Sequence, residues 1–203
     1  MFITFEGPEG CGKSTQSKLL KAYLESLGKQ VILTCEPGGT KLGEELRNIL
    51  LHTPEKLDQL AELALFAADR AEHVAKIIQP ALSAGKIVIC DRYVDSTVAY
   101  QIGGRGLPED LVRYFNMVSS RGLLPQVTFL LKVDPQIGLQ RAGQEKVADR
   151  FENEKISFHK AVLNKYLEIA KNDAKRVKII ESNARSIEAV QENIQKELKV
   201  LLL

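Results

Sequence analysis

Short apolar runs alternate with helical stripes along the chain. Phe2–Phe5, Val31–Thr34, Ile87–Cys90, Val127–Val133 and Val177–Ile180 are brief and rich in strand-forming residues. Each is apolar enough to predict a strand covered on both faces, as in a parallel sheet. Between them the apolar positions recur with a helical period. Leu19, Leu20, Tyr23, Leu24 and Leu27 form one stripe, and Gly28 is a natural stop behind it. Lys56 to Gln79 predicts a long helix with Leu60, Leu63, Ala67 and Val74 on its apolar positions, and Pro80 predicts its end or a kink. Phe158, Val162, Tyr166 and Ile169 make a third stripe, and Glu188 to Leu201 predicts a closing helix. Strands alternating with helices predict a doubly wound α/β domain, a three-layer α/β/α sandwich on a five-stranded parallel sheet. Such folds bind ligands at the carboxyl ends of their strands, so the residues after each strand carry the chemistry.

Composition narrows the class. The 203 residues suit one domain, and 44% hydrophobic with 27% charged residues is ordinary for a globular chain. Lys+Arg 28 against Asp+Glu 26 leaves +2, which argues against a dedicated nucleic-acid scaffold. Cys11, Cys35 and Cys90 lack CxxC spacing, against a disulfide framework or a structural zinc site. The first residues, Met1 to Gly7, carry no basic segment followed by a long apolar core, and no apolar run approaches the ~18–20 residues of a membrane span. The expectation is a cytoplasmic protein with no membrane and no nucleic-acid partner.

After the first strand comes Gly7-Pro8-Glu9-Gly10-Cys11-Gly12-Lys13-Ser14, a full G-x-x-x-x-G-K-[ST] phosphate loop, and Thr15 follows it. Its glycines let successive backbone N–H groups turn toward phosphate oxygens, and the helix that follows adds its positive end. Lys13 supplies a mobile charge for the β/γ-phosphates, and the Ser14 hydroxyl can ligate Mg²⁺. Cys11 reads as a small filler. The motif predicts phosphate binding of the kind seen in P-loop NTPases.

Strand three ends in Asp91-Arg92-Tyr93. Asp91 suits a water-mediated hold on Mg²⁺, and Arg92 a bidentate grip on a second phosphate; the same pair also reads as a structural ion pair. Strand two ends in Glu36-Pro37-Gly38-Gly39-Thr40, a turn that beside a phosphate loop can wall a second ligand, with Arg47 on the helix behind it. Phe66 and Arg70 share a helix face. Phe66 is either core or a stacking platform for a base, and Arg70 needs a polar partner. Thr97, Tyr100 and Gln101 share the face of another helix, and the Gln101 amide carries the donor and acceptor that a pyrimidine edge requires. Arg141 to Arg150 is polar and basic, either a solvated loop or a lid over the transferred phosphoryl group. His52, His73 and His159 fall in none of these motifs.

Taken together and in this order, these motifs resemble bacterial thymidylate kinases across essentially the whole chain. The carrying segments are Phe5–Thr15, Glu36–Thr40, Leu65–Arg70, Asp91–Gln101 with Gly103-Gly104-Arg105-Gly106 behind it, and the basic lid, about residues 141–153, with its Asp149-Arg150-Phe151-Glu152 end. The resemblance implies a homodimer packed through helices including the one bearing Phe66. It implies ATP as phosphoryl donor, dTMP as acceptor and Mg²⁺ held by Ser14 and Asp91. Gly7, Pro8, Glu9, Gly10, Cys11, Gly12, Lys13, Ser14, Thr15 and Arg141 would bind ATP. Glu9, Pro37, Arg47, Phe66, Arg70, Arg92, Thr97, Tyr100 and Gln101 would bind the acceptor. Glu9 would approach the sugar hydroxyl, Arg47 and Arg92 would hold the acceptor phosphate, and Tyr100 would crowd the 2′ position. Lys13, Arg92 and Arg150 would be catalytic. Gly10 stands where some members carry an arginine, so a lid arginine would replace it, Arg150 ahead of Arg141. Cys35 stands where many bacterial members have an arginine, a departure that predicts a higher KM for the acceptor. The runner-up is a P-loop kinase for another nucleoside monophosphate. A GTP switch fits poorly, because the nearest approach to N-K-x-D, Asn164-Lys165-Tyr166-Leu167, lacks the acid.

Overall fold

In a computed structural model of the chain, which describes residues 1–145, 149–183 and 185–202, five parallel strands form the sheet. They are β1 (Phe2–Glu6), β2 (Val31–Cys35), β3 (Ile87–Asp91), β4 (Val127–Lys132) and β5 (Val177–Glu181), in the order β2-β3-β1-β4-β5. The chain runs to one side of β1 and then to the other. The carboxyl end of β1 therefore lies at the switch point where such sheets open a crevice. Register brings Phe5 beside Asp91 and Glu6 beside Leu130, so the phosphate loop leaves the sheet next to the Asp91-Arg92 turn.

Helices α1 (Lys13–Ser26) and α9 (Ile187–Leu202) cover one face of the sheet. Leu20, Leu24, Val190, Ile194 and Leu198 pack there on Ile3, Phe5, Ile89, Phe129 and Leu131. Leu19 and Leu27, at the edges of the first stripe, stay exposed. Gly28 follows α1 with φ +76, as a left-handed stop requires. The other face carries α2 (Lys41–His52), α3 (Gln59–His73), α4 (Gln79–Ser83), α5 (Val94–Thr97), α6 (Glu109–Ser120) and α8 (Ile156–Asn172), and α7 (Pro135–Glu145) follows β4. Phe158, Val162 and Tyr166 of α8 are buried as the third stripe predicts.

Two expectations need correction. The long helix starts at Gln59, where Asp58 caps the N–H groups of Leu60 and Ala61, and it does not stop at Pro80. A π-helical turn at Val74–Ile78 intervenes and sets Pro80 in the first turn of α4, where a missing N–H costs nothing. The strands are also not all covered on both faces. β1 is fully buried, but β5 lies at the edge of the sheet and leaves Ile179 and Glu181 exposed. Of the expected lid, Lys146, Val147 and Ala148 lie outside the described residues.

Candidate active site

A cleft of about 700 Å³ runs across the carboxyl ends of the strands. Its floor is the phosphate loop. Helix α1 begins at Gly12 with no side-chain cap and no acid in its first turn, so its N-terminal N–H groups and positive end are left for an anion. Lys13 is buried, and its Nζ donates to the Gly7 carbonyl at 3.2 Å and the Pro8 carbonyl at 2.9 Å, with Cys11 Sγ at 3.4 Å. The ammonium is thus parked on the loop's own oxygens, within reach of whatever enters the cradle. Cys11 fills a buried space and burial pushes its thiol up, so it is not a thiolate. Gly10 has φ +62, and a Cβ there would meet the Gly138 carbonyl oxygen at 1.9 Å. The loop and α7 touch backbone to backbone, and any side chain at position 10, an arginine included, would separate them.

At the end of β3, Ser14 Oγ donates to Asp91 Oδ2 at 2.6 Å. A hydroxyl and a carboxylate beside an anion cradle form a hard oxygen donor set. Mg²⁺ takes few protein ligands of this kind and completes its shell with phosphate and water, so the pair fits that ion. Arg92 adopts a left-handed φ of +69, which turns its side chain across the floor. Its NH1 donates to the Gly7 carbonyl at 3.0 Å and its NH2 pairs with Glu9 at 2.8 Å. Tyr100 Oη donates to the other oxygen of Glu9 at 2.6 Å. Burial works against a charge on Glu9, but Arg92 and Lys13 outweigh it and lower the carboxyl to about 2. Behind Arg92, the buried Glu6 accepts from the N–H of Tyr93 at 2.8 Å and from Tyr166 Oη at 3.0 Å; burial and the nearby Asp95 raise it to about 7.

The wall beyond Arg92 is built from β2, α3 and α5. Glu36 precedes a cis peptide to Pro37, whose carbonyl accepts from Arg47 NH1 at 2.7 Å. Arg70 is only 2% exposed, yet it lines the cleft. Its Nε donates to Glu36 at 2.8 Å, NH1 to Asn116 at 2.7 Å and NH2 to Thr97 at 3.0 Å, and the guanidinium lies over the Tyr93 ring. Phe66 is half-buried against Phe151, with ring centroids 6.0 Å apart, and shows one side to the cleft, so it is both packing and wall. Gln101 lies in a π-helical segment, Val98–Gly104, which continues α5. His73 falls in none of the sequence motifs, but the fold sets it behind this wall. Its Nδ1 lies 2.9 Å from Glu36 and its Nε2 2.6 Å from Thr34 Oγ1. Asn116 and Glu62 were likewise missed, because their partners are distant in sequence.

The opposite end of the cleft is walled by Ser182, Arg185, Ser186, Ile187 and Val190, none of them singled out from the sequence. They follow β5, so the rule that ligands sit at the carboxyl ends of strands could have found them. Arg141 reaches this end and donates to the carbonyls of Ser182 at 3.3 Å and Asn183 at 2.6 Å. Arg150 is placed elsewhere. Its NH1 pairs with Glu62 at 2.6 Å and its Nε donates to the Leu50 carbonyl at 3.0 Å, away from the phosphate loop. Of the segments predicted to build the site, the structure gathers those carrying Glu9 to Thr15, Pro37, Arg47, Phe66, Arg70, Asp91, Arg92, Thr97, Tyr100, Gln101 and Arg141 around one cleft. Gly7 and Pro8 lie just beneath it, as acceptors for Lys13.

Comparison with known proteins points the same way. The family model described as thymidylate kinase matches residues 5–194. The thymidylate kinase of Gloeobacter violaceus is 46% identical over 204 residues, covering 100% of this chain and 96% of the relative. That of Solidesulfovibrio magneticus is 48% identical over 202 residues, covering 96% of each. A crystal structure of thymidylate kinase from Ehrlichia chaffeensis superposes with a TM-score of 0.82 at 38% identity, covering 98% of both chains.

Proposed function

This chain belongs to the thymidylate kinase family, and on that premise we propose that it transfers the γ-phosphoryl group of ATP to dTMP, giving dTDP and ADP. The observation that carries the reading is the cleft itself: an anion cradle in the middle, with a base-sized wall of Phe66, Arg70 and Gln101 at one end and the Arg141–Ser182 wall at the other. Two nucleotides fit such a cleft with their phosphates meeting over Lys13 and Arg92.

The acceptor phosphate is already an anionic nucleophile, so no general base is required. Catalysis is positioning and charge neutralisation. Lys13 leaves the Gly7 and Pro8 carbonyls for the donor phosphates, while Arg92, fixed by Glu9 and Gly7, faces the attacking phosphate of the acceptor. Arg47 adds a second cation on the acceptor side. Ser14 and Asp91 would hold Mg²⁺, which supplies neutralisation of the donor phosphate oxygens. Glu9 and Tyr100, bonded to each other, take the sugar: the carboxylate accepts from a hydroxyl, and the phenol ring occupies the 2′ side. Arg70 has N–H groups beyond its three bonds to donate to a base carbonyl. Arg150 is assigned to the transferring phosphoryl group, which requires it to leave Glu62; Arg141 stays with the donor nucleotide.

A coupled ADP-release assay across dTMP, dUMP, dCMP, dGMP and AMP tests the reaction. dTMP is expected to give the highest kcat/KM, and a higher value for a purine nucleotide overturns it. We also propose that the chain is a cytoplasmic homodimer. No described helix is long and apolar enough to cross a membrane. Leu42 and Ile49 on α2, Leu60 on α3, and Tyr114, Met117 and Val118 on α6 are exposed large apolar residues on packed neighbours, which suits contact with a second copy. Light scattering that gives the monomer mass at micromolar concentration would count against the dimer.

A further inference from the structure

We propose that Glu62 sets the hydrogen-bonding polarity of the base subsite, by turning the Gln101 amide so that it can only accept from the base. The inference rests on the acceptor site proposed above and concerns a residue that does not itself line the cleft.

Gln101 is fully buried, and its Nε2 donates to Glu62 Oε1 at 2.7 Å. Its Oε1 has no hydrogen-bond partner among the described residues, while the side chain lines the cleft. A buried amide oxygen without a partner is costly, and a base N–H in the cleft that Gln101 lines would supply the donor it lacks. The opposite orientation would press this oxygen against a carboxylate oxygen, lone pair to lone pair, and would turn the NH₂ into the cleft. Glu62 therefore decides which end of the amide a base meets.

Glu62 cannot turn aside. It is 1% exposed. Arg105 Nε donates to its Oε1 at 3.0 Å and Arg105 NH2 to its Oε2 at 3.2 Å, while Arg150 NH1 reaches Oε2 at 2.6 Å. Arg105 is in turn held between the rings of Phe151 and Phe158 and paired with Glu154. A carboxylate surrounded in this way accepts from every neighbour and donates to none. The consequence is selection at N3 of a pyrimidine. Thymine and uracil donate from N3 and satisfy the orphan oxygen. Cytosine accepts at N3 and meets it with a second lone pair.

The test is Glu62→Gln, which keeps shape and lets position 62 donate. Its oxygen takes the place of Oε2 beside Arg105 NH2 and Arg150, its NH₂ replaces Oε1 toward Gln101 at the expense of the Arg105 Nε contact, and the Gln101 amide reverses. The kcat/KM ratio of dTMP to dCMP is then expected to fall about tenfold to a hundredfold, the scale of one hydrogen bond of reversed polarity. Loss of the carboxylate charge beside Arg150 would change turnover for all acceptors alike, so the ratio is the readout. In a Gln101→Leu background the same substitution should leave the ratio unchanged. A ratio that does not move in Glu62→Gln, or that moves equally without Gln101, overturns the proposal. In the unaltered protein, the Gln101 side-chain amide protons should stay protected from exchange with and without dTMP; loss of protection on binding means that the amide turns, and overturns it as well. If the unaltered protein does not prefer dTMP over dCMP, the acceptor assignment itself fails. If it does and the variant matches it, only the role of Glu62 fails.

Discussion

Replacing Arg70 with methionine keeps the length of the stem and removes the guanidinium. Arg70 is 2% exposed and Glu36 4%. Their contact at 2.8 Å is a buried ion pair, and removing one partner of such a pair costs ~3–5 kcal/mol because the other charge is left in a poor solvent. Here His73, 2.9 Å from Glu36, still offers a hydrogen bond, which favours the lower end, about 3 kcal/mol. Asn116 Oδ1 and Thr97 Oγ1 lose a donor as well. In a chain of this size each kcal/mol moves Tm by about 2–4 °C, so Arg70→Met should melt roughly 6–12 °C lower. Thermal unfolding followed by circular dichroism reads this directly. Adding Glu36→Gln removes the stranded charge, and the double variant should recover about 1.5 kcal/mol against the sum of the singles. Binding gives the second readout: the dTMP dissociation constant should rise by a much larger factor than that of ATP. A Tm within 2 °C of the parent, with additive singles, would refute the claim that this wall stands on a buried ion pair. Equal losses for dTMP and ATP would refute the base assignment.

Three further outcomes are expected. Gly10→Ala should lose ATP binding by calorimetry, because its Cβ would sit 1.9 Å from a backbone oxygen of α7; retained affinity would mean that the loop and helix can part. Arg150→Ala should lower kcat by ~10³–10⁵, by analogy with arginine fingers, with little change in the KM for ATP; a kcat within a few-fold would assign the transition-state charge to another cation. Asp69 is raised to about 6 by burial and by the nearby Glu36. A carboxyl whose folded value lies above its ordinary 3.8 contributes stability at low pH that is lost as pH rises toward 6. The stability of the parent relative to Asp69→Asn should therefore fall by roughly 2 kcal/mol between pH 4 and 6 in denaturant titrations, and a flat difference would reject the shift.

The phosphate loop was legible because all its parts lie within nine consecutive residues and its function is local: glycines that permit positive φ, a helix start without a cap, one lysine. The five strands were legible for a similar reason, since each apolar run reports its own burial. The run at Val177–Ile180 misled because apolar content does not say which strand stands at the edge of the sheet. Of the two expectations at Pro80, an end or a kink, the end fails: a π turn just before the proline lets the helix continue, and local propensity carries no sign of that turn.

Sequence by itself determined the class of fold, the phosphate cradle and the residue types that a pyrimidine and two phosphates require. Tertiary structure decided how those residues are held. Glu36 joins Arg70 and His73, 34 and 37 positions away. Glu62 joins Gln101 and Arg105, 39 and 43 positions away, and also Arg150 of the basic segment. Such partnerships have no signature in spacing, because buried charge is stabilised by whatever the fold brings within hydrogen-bond reach. The orientation of the Gln101 amide likewise depends on a neighbour that only folding supplies.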